Sequence, residues 1–250
     1  MAGATSDPMS ETASGVPAAA PPWHFDDATG HARYWAQDEM VVAERFLEGA
    51  ALEPLVAEAE AMQAAINRNY VPGVKKGGSV SYFDLRKRAP SIVALYRSPA
   101  FIDLLSRITR ERLLPCPDGD PHACALYYYT EPGDHIGFHY DTSFYKGKRF
   151  TVLLGLVEQS SCRLVCDLYK RDASRATERV SVHTVPGTLV LFNGDTLWHA
   201  VTPSGAGERR IVLSMEYVTD QRMGTFAWLV SNVKDVVAYF GIRALWRGSR

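Results

Sequence analysis

Between about residue 122 and residue 219 the chain runs through a series of short apolar segments with nothing helical between them. They are "ACALYYYT", "KRFTVLLGLV", "CRLVCDLY", "VSVHTV", "GTLVLF" and "RRIVLSMEYV". Each is rich in β-branched and aromatic residues, the composition of strands. Turn chemistry separates them at Pro132-Gly133, Gly147, Pro186-Gly187 and Gly205 to Gly207. Strands that follow one another without crossover helices pair antiparallel. The texture therefore predicts a sandwich or barrel over roughly 122–219, not a parallel α/β sheet.

The flanks read differently. Residues 1–22, "MAGATSDPMSETASGVPAAAPP", have almost nothing to bury and are expected to be a disordered tail, with a single domain over 23–250. "DEMVVAERFLEGAALEPLVAEAEAMQAAINRNY" reads as helix, interrupted where Gly49 and Pro54 let one helix stop and the next begin. "APSIVALYRSPAFIDLLSRITRERL" is a second helical region broken near Ser98-Pro99, with Phe101, Leu104, Leu105 and Ile108 on one face. "NRNYVPGVKKGGSVSYFDLRKRAP" holds two basic clusters and three glycines and is expected to be a mobile flap over the barrel mouth. A C-terminal helix is expected over about 224–247, with Val230, Val233, Val236, Val237 and Phe240 along one side docking on a sheet; Ser231, Asn232 and Asp235 make it a poor membrane anchor.

Charge and cysteine usage exclude several classes. Lysine and arginine number 27 against 28 acidic residues, so no generic attraction to a polyphosphate backbone exists and nucleic acid is not the expected partner. No apolar run approaches the ~20 residues that span a bilayer. Cys116, Cys124, Cys162 and Cys166 are too few and too irregular for a disulfide framework, and are expected as buried thiols. The first residues lack the basic-then-apolar pattern of a secretory signal, so the cytoplasm is the expected location. Pairing into a homodimer stays open.

The chemistry concentrates in "DHIGFHYDTSFY", Asp134 to Tyr145. His139 and Asp141 are two apart, so on a strand both side chains leave one face and Tyr140 leaves the other. An imidazole and a carboxylate so placed grip a divalent transition metal. His199, in "LVLFNGDTLWHAVTP", is the candidate third ligand. Two histidines and one carboxylate make the facial set of non-haem Fe(II) oxygenases, which leaves positions open for a cosubstrate and dioxygen. Arg209 and Arg210 follow at the start of "RRIVLSMEYV". An arginine fork suits the far carboxylate of a 2-oxoglutarate chelated to iron. On that strand Ile211, Leu213, Met215 and Tyr217 share the apolar face, while Arg210, Val212, Ser214 and Glu216 share the other. The apolar face belongs against helices, which points Arg210 into the barrel and leaves Arg209, the alternate, on the rim.

These residues resemble the Fe(II)/2-oxoglutarate-dependent oxygenase superfamily, especially its prolyl-hydroxylase-like branch. "YYYTEPGDHIGFHYDT", "PGTLVLFNGDTLWHAVTP" and "GERRIVLSMEYV" carry the likeness, over roughly Ala123 to Val218. The resemblance implies a double-stranded β-helix, a jelly-roll barrel buttressed by helices on one sheet. It also implies His139, Asp141 and His199 as iron ligands, with 2-oxoglutarate and O2 as cosubstrates. The family's arginine followed four residues on by a hydroxyl fits Arg210 with Ser214. Tyr127 and Tyr129 share a strand face, where either plain aromatic packing or a hydrogen bond to the cosubstrate is open. His135, Tyr127, Trp198 and Glu216 are candidate substrate contacts, Glu216 equally a partner for a neighbouring cation. The chain departs from many relatives in having "SSC" at Ser160 to Cys162 where they carry a Gly-Gly pair.

The reaction implied is oxidation, by preference hydroxylation, of an unactivated C–H bond of a small molecule, with succinate and carbon dioxide as coproducts. Asp141 fills the position that halogenating relatives leave to Gly or Ala. A peptide side chain as substrate, a non-catalytic jelly-roll binding module, and a metal cupin of another type are the rival readings.

Overall fold

The computed structural model describes residues 21–141 and 145–223. The greater part of the expected tail and the expected C-terminal helix over 224–247 lie outside the described residues. In chain order the elements are α1 (Asp27–Ala36), β1 (Met40–Ala43), α2 (Gly49–Ala61), a 3-10 turn (Met62–Ala65), β2 (Asn67–Val71) and β3 (Lys75–Val80). Then follow α3 (Tyr82–Arg88), α4 (Pro90–Arg97), α5 (Pro99–Thr109), β4 (Leu114–Pro115), β5 (Cys124–Tyr129), β6 (His135–His139) and β7 (Arg149–Gln159). The rest are β8 (Leu164–Leu168), β9 (Glu178–Val182), β10 (Leu189–Asn193), β11 (Trp198–Val201) and β12 (Arg209–Val218).

The strands pair antiparallel throughout, in the order β1-β10-β7-β12-β5-β3-β6-β11-β8-β9. This one sheet curls into the two facing layers of a jelly roll, as the turn-rich strand series predicts. β12 is central and buried along nearly its whole length. Ile211, Leu213, Met215 and Tyr217 pack outward in one apolar cluster with Leu55, Tyr96, Phe101, Leu104 and Leu105 of the helices. Tyr96 fixes that contact with polar bonds: its hydroxyl donates to the Glu216 carbonyl at 3.1 Å and accepts from Cys116 N at 2.8 Å. A second cluster includes Cys162, Leu164, Cys166, Val190, Phe192 and Leu197. All four cysteines are free and buried. No helix among the described residues is long and apolar enough to cross a membrane.

Three expectations fail, two of them to strand pairing. "MVVA" is not helix: it pairs as β1 with β10, which buries Met40, Val41 and Ala43. α2 then begins at Gly49, so Pro54 lies inside one helix and does not open a second. "NRNYVPGVKKGGSV" is not a flap but the β2–β3 hairpin, and the sheet therefore starts well before residue 122. β3 forms the corner of the barrel. Its Lys75 and Lys76 pair with β6, whereas Gly78, Ser79 and Val80 pair with β5. Its glycine texture comes from close packing, since a Cβ on Gly78 would meet Ile66 Cγ2 at 2.5 Å.

Candidate metal centre

β6 and β11 bring the site together by register, since His199 pairs directly with His139. Asp141 follows β6, tied by its amide to the Gly194 carbonyl at 2.9 Å. Asp141 Oδ1 lies 3.4 Å from His139 Nε2 and 3.7 Å from His199 Nε2. Ligand atoms of the three residues all lie within 4.8 Å of one another. Cis ligands about 2.1 Å from an octahedral ion stand about 3 Å apart, so a small contraction would fit one. The tautomers suit this. His139 Nδ1 is 2.9 Å from the Gly137 carbonyl and His199 Nδ1 is 3.0 Å from the Leu197 carbonyl. A carbonyl only accepts, so each Nδ1 carries the hydrogen and each Nε2 presents its lone pair.

Charge balance in the set is mutual. Burial opposes ionisation of Asp141, but the His199 and His139 side chains outweigh it and hold the carboxyl below its ordinary range. Burial lowers His199, with Asp141 opposing. Burial also works against charge on His139, but the hydrogen bond and charge of Asp141 prevail and raise it.

The other predicted residues fall into two groups. Tyr127, Tyr129, Arg210, Ser214 and Glu216 line the same cavity of about 360 Å³ as the triad. Arg210 is buried, its guanidinium over the Tyr129 ring at 4.8 Å and its Nη2 donating to Thr184 Oγ1 at 3.0 Å. Burial pushes the Tyr129 phenol up to about 12, against the pull of Arg210. Arg209 points out of the barrel to Glu60 of α2, as strand parity requires. Ser214 donates to Glu216 Oε1 at 3.1 Å, within the cavity wall. His135 and Trp198 are engaged elsewhere. His135 Nδ1 meets the Gly133 carbonyl at 2.8 Å. Trp198 stacks on half-exposed Phe138 at 6.0 Å, on the face of β11 opposite His199.

Sequence reasoning missed several wall residues. Arg149 and Thr151 line the cavity from β7, and the same two-residue parity that places Arg210 places them. Thr151 Oγ1 lies 2.6 Å from Asp141 Oδ2 and 2.9 Å from Glu216 Oε2, and Arg149 Nε donates to Glu216 Oε2 at 3.0 Å. Burial raises the Glu216 carboxyl, with the Arg149 guanidinium opposing, and the Thr151 hydroxyl lies between it and Asp141. Gly194 is needed for closeness: a Cβ there would lie 2.8 Å from Asp141 Oδ2. His122 and Asp120, from the loop before β5, and Tyr145 complete the mouth, with Tyr145 donating to Asp120 at 2.7 Å. Burial holds His122 down to about 4.

No protein-family model and no curated protein matches the sequence. Solved structures do match in fold. The nogalamycin-biosynthesis epimerase SnoN, described as non-heme and alpha-ketoglutarate dependent, superposes with a TM-score of 0.65 at 15% identity, over 80% of this chain and 86% of that one. A Pseudomonas putida prolyl-4-hydroxylase gives 0.60 at 18%, over 79% and 100%. A 2OG-Fe(II) oxygenase family protein from Burkholderia pseudomallei gives 0.60 at 15%, over 80% and 95%. The fold is that of these oxygenases, jelly roll and buttressing helices included.

Proposed function

We propose that the protein is an Fe(II)- and 2-oxoglutarate-dependent oxygenase that hydroxylates, or otherwise oxidises, a C–H bond of a small molecule. The observation that carries this reading is the meeting in one cavity of His139, Asp141 and His199 with the buried cation of Arg210. Iron with 2-oxoglutarate would supply the oxidising chemistry, consuming O2 and releasing succinate and carbon dioxide. His139, Asp141 and His199 would hold the metal through two Nε2 atoms and a carboxylate oxygen. Arg210 receives the far carboxylate of the cosubstrate. Thr151 and Glu216 fix the orientation of Asp141. The apolar wall of Leu153, Leu164, Val201 and Val212 keeps water from the reacting bond. A cavity of about 360 Å³ lies in the range of small-ligand sites, which favours a small molecule as substrate.

The test is succinate release from 2-oxoglutarate with Fe(II), screened against amino acids and other small acids. Stimulated, chelator-sensitive release by a member of the set is expected. The reading fails if the iron-loaded protein neither binds 2-oxoglutarate nor turns it over with any of them.

A further inference from the structure

Behind Arg210 stands a carboxylate that the proposed chemistry does not use. Glu158 of β7 lies directly across the ladder from Arg210 of β12, and both side chains are only 1% exposed. Its Oε2 is 3.4 Å from Arg210 Nε. Oε1 is well served, accepting from Ser160 N at 2.9 Å and from Ser160 Oγ at 2.5 Å, with His183 Nε2 at 3.8 Å. Oε2 is sealed from solvent and accepts no hydrogen bond. A buried carboxylate left partly unsatisfied is a standing cost, and the arginine beside it is what offsets that cost.

Glu158 is not needed to orient the guanidinium. Thr184 Oγ1 takes Nε at 3.3 Å and Nη2 at 3.0 Å, and the Tyr129 ring supports the planar face at 4.8 Å. What Glu158 adds is charge.

We propose that Glu158 sets the affinity of this site for dicarboxylates by neutralising Arg210 from behind, so that cosubstrate and coproduct are held loosely enough to exchange. The inference rests on the reading that Arg210 anchors the far carboxylate of 2-oxoglutarate. Two effects act in the same direction. In the empty site Glu158 compensates the buried cation, so an incoming carboxylate finds a charge already paired. In the loaded site the two anions share one guanidinium and repel at short range in a medium far less screening than water. An amide at position 158 removes both. The empty site then holds an uncompensated buried cation, and that penalty is recovered only when a dicarboxylate binds.

Wild-type protein, Glu158→Gln and Glu158→Asp are loaded with Mn(II) and titrated calorimetrically with 2-oxoglutarate, succinate and pyruvate, with melting followed alongside. Glu158→Gln is expected to bind 2-oxoglutarate and succinate about tenfold more tightly, about 1.4 kcal/mol, with pyruvate changed less than about twofold because it has no far carboxylate. Its empty form should melt lower than wild type and gain more on adding 2-oxoglutarate. Glu158→Asp, which withdraws the charge by one methylene, should fall between the two, and it carries the test if the glutamine variant does not fold. Equal or weaker binding of 2-oxoglutarate by the variants, or an equal gain for pyruvate, overturns the inference and leaves the assignment of Arg210 standing. A wild-type protein that binds Mn(II) but no 2-oxoglutarate overturns that assignment, and the inference with it.

Discussion

Thr151→Val tests whether the polar chain behind Asp141 tunes the metal set. The substitution keeps β-branching and volume and removes one hydroxyl. That hydroxyl lies 2.6 Å from Asp141 Oδ2 and bridges it to Glu216. Hydrogen bonds to ionised groups contribute roughly 1.5–3 kcal/mol, and loss of an outer partner of a metal ligand weakens metal binding roughly 10–100-fold. The two estimates agree, since about 1.4 kcal/mol is tenfold. Anaerobic Fe(II) titration should therefore show a dissociation constant raised by about one to two orders of magnitude. Thr151→Ser, which restores the donor, should return to within a few-fold of wild type. The metal-free Thr151→Val protein should also melt a few degrees lower, because Glu216 and Asp141 then face one another without the bridge. A valine variant that binds iron as wild type does, with melting unchanged, would show that the Glu216–Thr151–Asp141 chain is packing alone.

Arg210→Ala should weaken 2-oxoglutarate binding by at least about 30-fold, because a buried charge-assisted pair is lost, while Arg209→Ala, which breaks a half-buried pair with Glu60 outside the cavity, should change it less than about threefold. The opposite ranking in calorimetry would invert the facing of β12. Gly194→Ala places a Cβ 2.8–3.0 Å from Asp141 and Thr151, so purified protein should carry little iron by elemental analysis while its far-ultraviolet dichroism stays native; full iron content would mean that Asp141 is not a ligand. Burial depresses His122 to about 4 from an ordinary 6.5, so the unfolded chain takes up the proton first. Its contribution to stability is complete above pH 6.5 and is lost as pH falls toward 4, by about 1.4 kcal/mol per pH unit. Urea midpoints at pH 7 and pH 5 should converge for His122→Gln more than for wild type, and parallel slopes would remove His122 as the cause.

What the sequence made legible was whatever obeys the parity of a single strand. Alternation along "RRIVLSMEYV" separates Arg210 from Arg209, and the structure places them on opposite faces of β12. The two-residue spacing of His139 and Asp141, with His199 after a second apolar strand, brings three donors to one point. What escaped depends on partners distant in sequence. "MVVA" has no strand signal of its own strong enough to beat the helical stretch after it; β10 supplies the open edge on which it pairs. The lysines of "VKKGGSV" look solvent-bound until β2 and β6 flank them, and Lys75 is then buried over the Tyr127 ring.

Glu158 is the case where the pattern itself carried a warning. On β7, Thr151, Leu153 and Gly155 lie opposite Glu216, Ser214 and Val212, the cavity-facing residues of β12. Val152, Leu154 and Leu156 belong to the core under the helices. Continuing by twos would put Glu158 into that apolar core, where an ionised carboxylate has no partner and its burial is expensive. A charge at a core position of an otherwise regular alternation signals that the alternation stops. It does stop: the register slips between Ile211 and Val212, so that Val157 faces Ile211 while Gly155 faces Val212. The extra residue in the β7 bulge turns Glu158 to the inner face, opposite Arg210. Deleting the extra residue, Leu156, should leave a regular ladder in which Val157 still faces Ile211 and Glu158 still faces Arg210, so calorimetry should find 2-oxoglutarate binding close to wild type.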